Sequence, residues 1–534
     1  MTGKEAERRA AMPWETECPC PLPEEAGFSP QEIWAWEKRL SLGLVADMSE
    51  YSKTDKAGDD PNKAENWPKT RVLSEKFLRT ILFHEPYKSA APRPYIRISC
   101  ARIPDALDFQ GFALDAELGV HQSLFEGKII FLGLTAKRLL SFQGSTFEEV
   151  FVADRLTVGG TLFLSGGATF KQDVRLLGAS VGGNLETDSS TFEGEFTADG
   201  LTVGGDLFLS DVATFKQDVR LVGAKIGGDL TTAGSTFEGT FRADSLTVGG
   251  NLFLRGMKRF GDAEILGARI GGVLDLSGST YDGHVNLTGT TVKGDILLAS
   301  TKHKPPKWQQ GARLTLRNVT AGALQDTEDA WRRQEGGDGD LVPLDLTGFD
   351  YERLGGLLAG EGGNIAHRPT DWFVKWIESP ENHDKFFNPQ PYQHLAATLR
   401  TGGQPDKADS ILYAAKNHQL RAGDVGGWTK VKLWLLRGLI GYGYYNYRAV
   451  PWFLALVVLG ALLVGFSVDL TAQYTAVFDR FWYSFDMALP IVKLNAEHKK
   501  HIAENWVAVY FYAHKMLGFV LASLLVAGLS GLTK

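Results

Sequence analysis

A large aromatic residue returns every 22 or 23 positions through the middle of this chain, and few folds tolerate such regularity. Phe147, Phe170, Phe192, Phe215, Phe237, Phe260 and Tyr281 follow one another at steps of 23, 22, 23, 22, 23 and 21 residues, and Phe125 extends the series upstream. Longer text returns at 45: ATFKQDVRLLGASVGGNL (168–185) comes back as ATFKQDVRLVGAKIGGDL (213–230), and LTVGG followed by T, D or N and LFL begins at Leu156, Leu201 and Leu246. A fixed period of this size marks a solenoid, in which each repeat buries its apolar face against its neighbours.

Within one repeat the apolar residues alternate. Phe196 and Ala198, Leu201 and Val203, and Leu207 and Leu209 read as three short in-and-out strands. Gly204-Gly205 then falls at a corner, where positive φ is cheap for glycine. A helical reading fails, because a Gly-Gly pair in each repeat would cost about 2 kcal/mol every time. The expectation is a parallel β-helix of about 22 residues per coil. Coils spaced roughly 4.8 Å apart would stack the aromatic positions into an internal ladder. The degraded pattern reaches from about Tyr95 to about Asn318, roughly ten coils or about 45–50 Å of rod.

The flanking text predicts helical caps. Ser29-Pro30 is an N-cap followed by proline at the first helical position, and 72–83 (VLSEKFLRTILF) is an amphipathic helix ending before Pro86. Residues 52–68 read as a polar loop, and DTEDAWRRQEGGDGD after Thr320 does likewise. The organisation expected is 1–90 as an N-terminal helical cap region, 91–320 as the β-helix, 321–448 as a connector with a helical hairpin (391–421), and 449–534 as a membrane segment.

That last segment holds two apolar stretches, 449–469 and 506–532, each long enough to cross a hydrocarbon core of about 30 Å. Between them, 476–493 is aromatic and interrupted by charge. It reads either as an interfacial helix or as a re-entrant helix lining a cavity in an oligomer. Its order resembles the two-helix pore module of ion channels, with ALPIVKL (488–494) where a TVGYG-like filter would stand. The candidate pore or interfacial residues are Asp479, Arg480, Trp482, Asp486, Pro490, Lys493 and His514. Ionisable groups near membrane depth usually face protein or water, although His514 and Lys515 also suit snorkelling at a helix end. Lys430, Lys432, Arg437 and Arg448 precede the first span and Lys534 ends the chain. The rule that basic residues stay inside places the rod and both termini in the cytoplasm.

The combination of IRISCARIPDALDFQGFAL, the repeating L-x-G-A-x-I-G-G-D-L, the hairpin FNPQPYQHLAATLRTGGQPDKADSILYAAKNHQLRA, GYGYYNYRAVPW (441–452) and FWYSFDMALPIVKL (481–494) resembles a bacterial family of pentapeptide-repeat-like membrane proteins. The resemblance covers about 70–534 and implies an inner-membrane β-solenoid. Relatives carry the name membrane-associated oxidoreductase. No GxGxxG follows a strand here and no flavin or haem motif is present, so no cofactor or catalytic residue is expected.

Other chemistry is sparse. Cys18 and Cys20 flank a proline without a second Cys/His pair, Cys100 stands alone, and the eleven histidines are scattered. GGDGDL (336–341) lacks the nine-residue repeats of calcium-binding solenoids. A net charge of −7 argues against a nucleic-acid partner. From Ser141 to Ser300 there are 20 acidic and 12 basic residues, a net −8, which solvated surface charge explains before mimicry of DNA does. The expectation is a non-enzymatic, oligomeric, membrane-anchored scaffold or sensor. It would contact the bilayer and a cytoplasmic protein; the alternative is an oligomeric channel gated by the rod.

Overall fold

The computed structural model describes residues 18–51, 57–90, 95–299, 304–334, 340–355, 365–379, 387–422, 425–489, 494–495, 498 and 506–529. They fall into two compact units, Met1–Arg368 with Ser379–Glu381, and Pro369–Glu378 with Asn382–Lys534.

The first unit is a parallel β-solenoid of about nine coils. One side is a ten-stranded parallel ladder running from Arg102–Ile103 to Lys307–Trp308. The central coils carry four two-residue strands instead of three. Thr191–Phe192, Phe196–Thr197, Thr202–Val203 and Leu207–Phe208 make one turn before Thr214–Phe215 opens the next. The ladder strand escapes the alternation because its second inward residue is the buried Ser190, not an apolar side chain.

The aromatic ladder forms in register. Phe125, Phe147, Phe170, Phe192, Phe215, Phe237, Phe260 and Tyr281 pair in order, and Trp308 closes the series. From Phe125 to Phe237 the rings stack nearly parallel, with centroids 4.5–4.9 Å apart. At Phe260 the next ring turns edge-on, 74° from its neighbour, where the 45-residue text also lapses.

The structure explains why the text repeats at 45 and not at 22. On the adjoining side, Phe151, Val174, Phe196, Val219 and Phe241 pair in order, so a large and a small side chain alternate coil by coil. Outside, charge alternates too. Lys171 meets Glu148 at 2.8 Å and Lys216 meets Glu193 at 2.7 Å, while Arg175 and Arg220 reach Asp154 and Asp199 at 2.6 Å. Two coils make one unit of volume and one unit of charge.

The Gly-Gly pairs serve a different purpose from the one their sequence suggests. Neither Gly204 nor Gly205 has positive φ; left-handed residues stand at other corners, Gly178, Gly200 and Gly223 among them. A Cβ on Gly204 would lie 2.3 Å from the Gly182 carbonyl oxygen, and one on Gly227 would lie 2.3 Å from that of Gly204. The pairs let successive backbones touch. The polar residue that follows completes the corner: Asn184 Oδ1 accepts from Asp206 N, Asp206 from Asp229 N, Asp229 from Asn251 N and Asn251 from Val273 N, at 2.7–3.0 Å.

Both ends of the stack are closed. Helices α1 (Pro30–Glu37) and α2 (Glu75–Phe83) form where their caps predict. Glu32 ties them together, accepting from Ser29 N at 2.7 Å and from Ser74 N at 2.8 Å. Phe77, Leu78, Ile81 and Leu82 of α2 are buried, and Phe83 packs on Phe109 and Phe112. Of the stretch expected to be a polar loop, 52–56 lies outside the described residues. The remainder folds against the coils, with Ala64 and Trp67 buried on Leu124.

Strands continue past residue 320, through Thr320–Gln325, Leu344–Asp345 and Asp350–Leu354. The polar-looking stretch between them buries Trp331 and Asp326. Arg368 pairs with Asp326 at 2.8 and 3.1 Å, and Trp331 donates to the same carboxylate. A motif of charged residues around one tryptophan thus becomes a plug. Most of GGDGDL lies outside the described residues.

The second unit is helical: α3 (Thr370–Glu378), α4 (Gln390–Thr401), α5 (Pro405–Arg421), α6 (Gly427–Ile440), α7 (Ala449–Val464), α8 (Val477–Ala488) and α9 (Trp506–Leu529). Helices α4 and α5 form the expected hairpin, broken at Gly402-Gly403. Asp409 is clamped by Arg400 at 2.7 Å, and Tyr392 donates to Glu378 at 2.9 Å.

Candidate functional site in the helical unit

Two helical stretches are long and apolar enough to cross a membrane. Asn446–Val464 has 19 residues and a mean hydropathy of 2.0, and Trp506–Val526 has 21 residues and a mean hydropathy of 1.6. Only 28% and 22% of an 18-residue apolar window in each are buried within the chain, whereas the core helix of a soluble protein would be mostly covered. Leu454, Val458, Leu462, Val509, Leu517 and Phe519 all point outward.

Helix α8 is packed lengthwise along both stretches rather than laid across their ends. Near its middle, Tyr483 joins Val464, Val507 and Phe511 in one apolar cluster. At its far end, Ala488 joins Ala449, Phe453, Val457 and Leu521 in another. A Cβ on Gly518 would lie 2.2 Å from the Ala488 carbonyl oxygen. Gly518 is twelve residues beyond Trp506, about 18 Å along the helix at 1.5 Å per residue.

The three helices meet at a buried polar node. Ser484 Oγ of α8 donates to the Val457 carbonyl of α7 at 2.7 Å. His514 of α9 is fully buried, with Nε2 3.1 Å from the Ser484 carbonyl oxygen and Nδ1 3.1 Å from the Tyr510 hydroxyl. A carbonyl oxygen can only accept, so Nε2 carries the proton, and in the neutral ring Nδ1 accepts from Tyr510. Gly460 makes the approach possible: a Cβ there would lie 2.2 Å from Ser484 Oγ and 2.8 Å from His514 Cε1. Small residues at helix crossings and side-chain hydrogen bonds between helices are how apolar bundles hold together. The Ser484 hydroxyl points at a carbonyl and not at the imidazole, so the pair is not an activated nucleophile.

Asp486 does other work. Its Oδ1 accepts from Leu494 N at 2.7 Å and its Oδ2 lies 3.2 Å from His498 Nδ1, so one buried carboxylate holds the segment returning from α8. Arg480 donates from Nε to the Tyr474 carbonyl at 2.9 Å. Asp479 is exposed and Trp482 is 41% exposed, on the side of α8 away from the node. Pro490 and Lys493 lie outside the described residues.

His514 therefore does not snorkel, whereas Lys515 beside it is exposed. Sequence reasoning singled out Asp486 and His514 but not their partners Ser484, His498, Tyr510 and Gly460. The one signal available was a glycine and a serine inside otherwise apolar or aromatic runs. Among the described residues, no three His, Cys, Asp or Glu side chains converge as metal ligands. Cys100 is buried in the first unit, and that burial pushes its thiol up to about 12.

No family model, curated protein or solved structure matches this chain.

Proposed function

We propose that the chain is a membrane-anchored β-solenoid, a non-enzymatic scaffold or sensor that displays its rod at the cytoplasmic face of a bacterial inner membrane. The observation that carries this reading is an outward-facing column on the rod. Phe163, Glu186, Phe208, Thr231 and Phe253 pair in order, so half-buried aromatic rings stand at every second coil with polar residues between. A rigid stack that repeats such a pattern suits an extended partner better than a small enclosed substrate. The pairing of surface cations with carboxylates supports a protein partner over mimicry of nucleic acid, which would require an unbroken acidic face.

The test is site-specific photocrosslinking of the full chain in native membranes. A photoreactive residue at Phe208 is expected to give a discrete protein adduct, and one at Lys225, exposed in the next column, is expected to give none. Equal or absent adducts at both would remove the reading.

One observation favours a second reading, a homo-oligomeric pore: α8 lies along both apolar helices with ionisable residues near it. Purified chain in vesicles would then pass ions, and Asp486→Asn would alter the flux. Vesicles no leakier than empty ones would leave the anchored scaffold alone.

A further inference from the structure

Helix α6 presents two apolar faces, and the helical unit uses only one. Leu433 and Ile440 are buried, and Ile440, Leu436 and Leu439 pack into the cluster formed by Ala449, Phe453 and Leu521. On the opposite side Trp428, Val431 and Leu435 fall at i, i+3 and i+7 with Trp434 beside them, and all four are exposed, Trp428 at 82% and Trp434 at 67%. This second stripe is flanked by cations. Winding the sequence at 3.6 residues per turn places Lys432 on one border and Lys430 and Arg437 on the other. The helix Gly427–Ile440 contains no acidic residue.

The stripe also adjoins the first apolar span. A short turn at Asn446–Arg448 separates α6 from α7, and Trp452 Nε1 of α7 donates to the Gly438 carbonyl at 3.0 Å. The left-handed Gly441, with φ +55, makes the bend between them.

We infer that α6 lies in the plane of the membrane, with Trp428, Val431, Trp434 and Leu435 set into the leaflet. Lys430, Lys432 and Arg437 then bind its anionic lipid headgroups. An apolar stripe bordered by lysine and arginine is what an interfacial helix needs, because long cationic side chains reach the phosphates while their stems stay in the acyl boundary. Tryptophan is the side chain best suited to that depth. Each cation near an anionic surface is worth a roughly fivefold preference. A soluble protein partner would also cover an apolar face, but the border of cations and the adjoining span favour lipid. The inference rests on the reading that α7 and α9 span the bilayer.

The experiment uses the full chain with Cys18, Cys20 and Cys100 replaced by serine. A fluorophore is placed at Trp434→Cys or, as a control, at Val520→Cys on the outward face of α9. Each protein is reconstituted into neutral phosphatidylcholine vesicles or vesicles containing phosphatidylglycerol, with nitroxide quenchers carried on the lipid. Quenching at both positions, with that at 434 stronger in anionic vesicles, is the result expected. Lys430→Gln, Lys432→Gln and Arg437→Gln should each lower that anionic preference roughly fivefold and leave position 520 unchanged. Quenching at 520 without quenching at 434 overturns the inference and leaves the spans standing. Equal quenching at 434 in both lipids overturns the headgroup contact. No quenching at either position overturns the membrane reading itself.

Discussion

The rod and the helical unit solve the same problem, bringing backbones close together, by opposite means. In the rod the close approach is periodic: Gly204, Gly227, Gly249 and Gly271 each meet the carbonyl of the glycine one coil before. In the helical unit it happens at single places, Gly460 against Ser484 and Gly518 against Ala488, and nothing in the chain repeats them. A corner written six times in the sequence as Gly-Gly is visible there. A contact written once is visible only in three dimensions.

The largest effect is expected where the rod is most deeply packed. Phe192 stacks between Phe170 and Phe215 and is fully buried, so Phe192→Ala is expected to cost about 3–5 kcal/mol. Chemical denaturation of the whole chain, followed by circular dichroism, would read it. A loss no larger than that of a surface change would mean that the stack is not the core.

Inside the rod, two glycine substitutions separate close approach from conformational freedom. Gly223 has φ +68 and open space around it, so Gly223→Ala should cost only the left-handed penalty of about 1–2 kcal/mol. Gly227 has an ordinary φ but would drive its Cβ into a neighbouring carbonyl, so Gly227→Ala is expected to cost more. The reverse ranking in thermal melts would restore conformational freedom as the reason for the pairs. Val212 offers the opposite sign. It holds φ +64, is 54% exposed, and takes the place that Gly167 fills 45 residues earlier. Val212→Gly should therefore stabilise the rod by up to about 1 kcal/mol.

The helical unit is expected to respond weakly to the loss of one polar contact. Ser484→Ala removes the bond to the Val457 carbonyl, and such bonds inside apolar bundles average about 0.6 kcal/mol. Unfolding in mixed micelles would measure it. Smallest of all is Lys216→Ala on the rod surface, where solvent screens the pair with Glu193, and no resolvable change in melting is expected.

These differences account for what could be read from the chain. The coil length, the aromatic ladder, both N-terminal helices and the hairpin follow from spacing and caps, because each is set by residues close in sequence or strictly repeated. The fourth strand was hidden because its inward-facing pair in that coil is Ser190 and Phe192, a polar residue with an apolar one, which leaves no apolar alternation. The plug around Trp331 and Asp326 was hidden because its partner Arg368 lies 42 residues away. The node at His514 combines α7, α8 and α9, and a lone histidine near the end of an apolar run looks the same whether it snorkels or is enclosed. The exposed stripe of α6 was obscured by its lysines, which read as an orientation signal before they read as the border of a surface.

An anchored solenoid requires the two apolar helices to cross a bilayer, which fractionation of the full chain from bacterial membranes can check. After an alkaline carbonate wash, which strips proteins held only at the surface, the chain should remain in the membrane pellet and leave only with detergent. Release of the folded chain into the carbonate supernatant would show that Asn446–Val464 and Trp506–Val526 are helices of a peripheral domain, and the anchored solenoid would have to be abandoned.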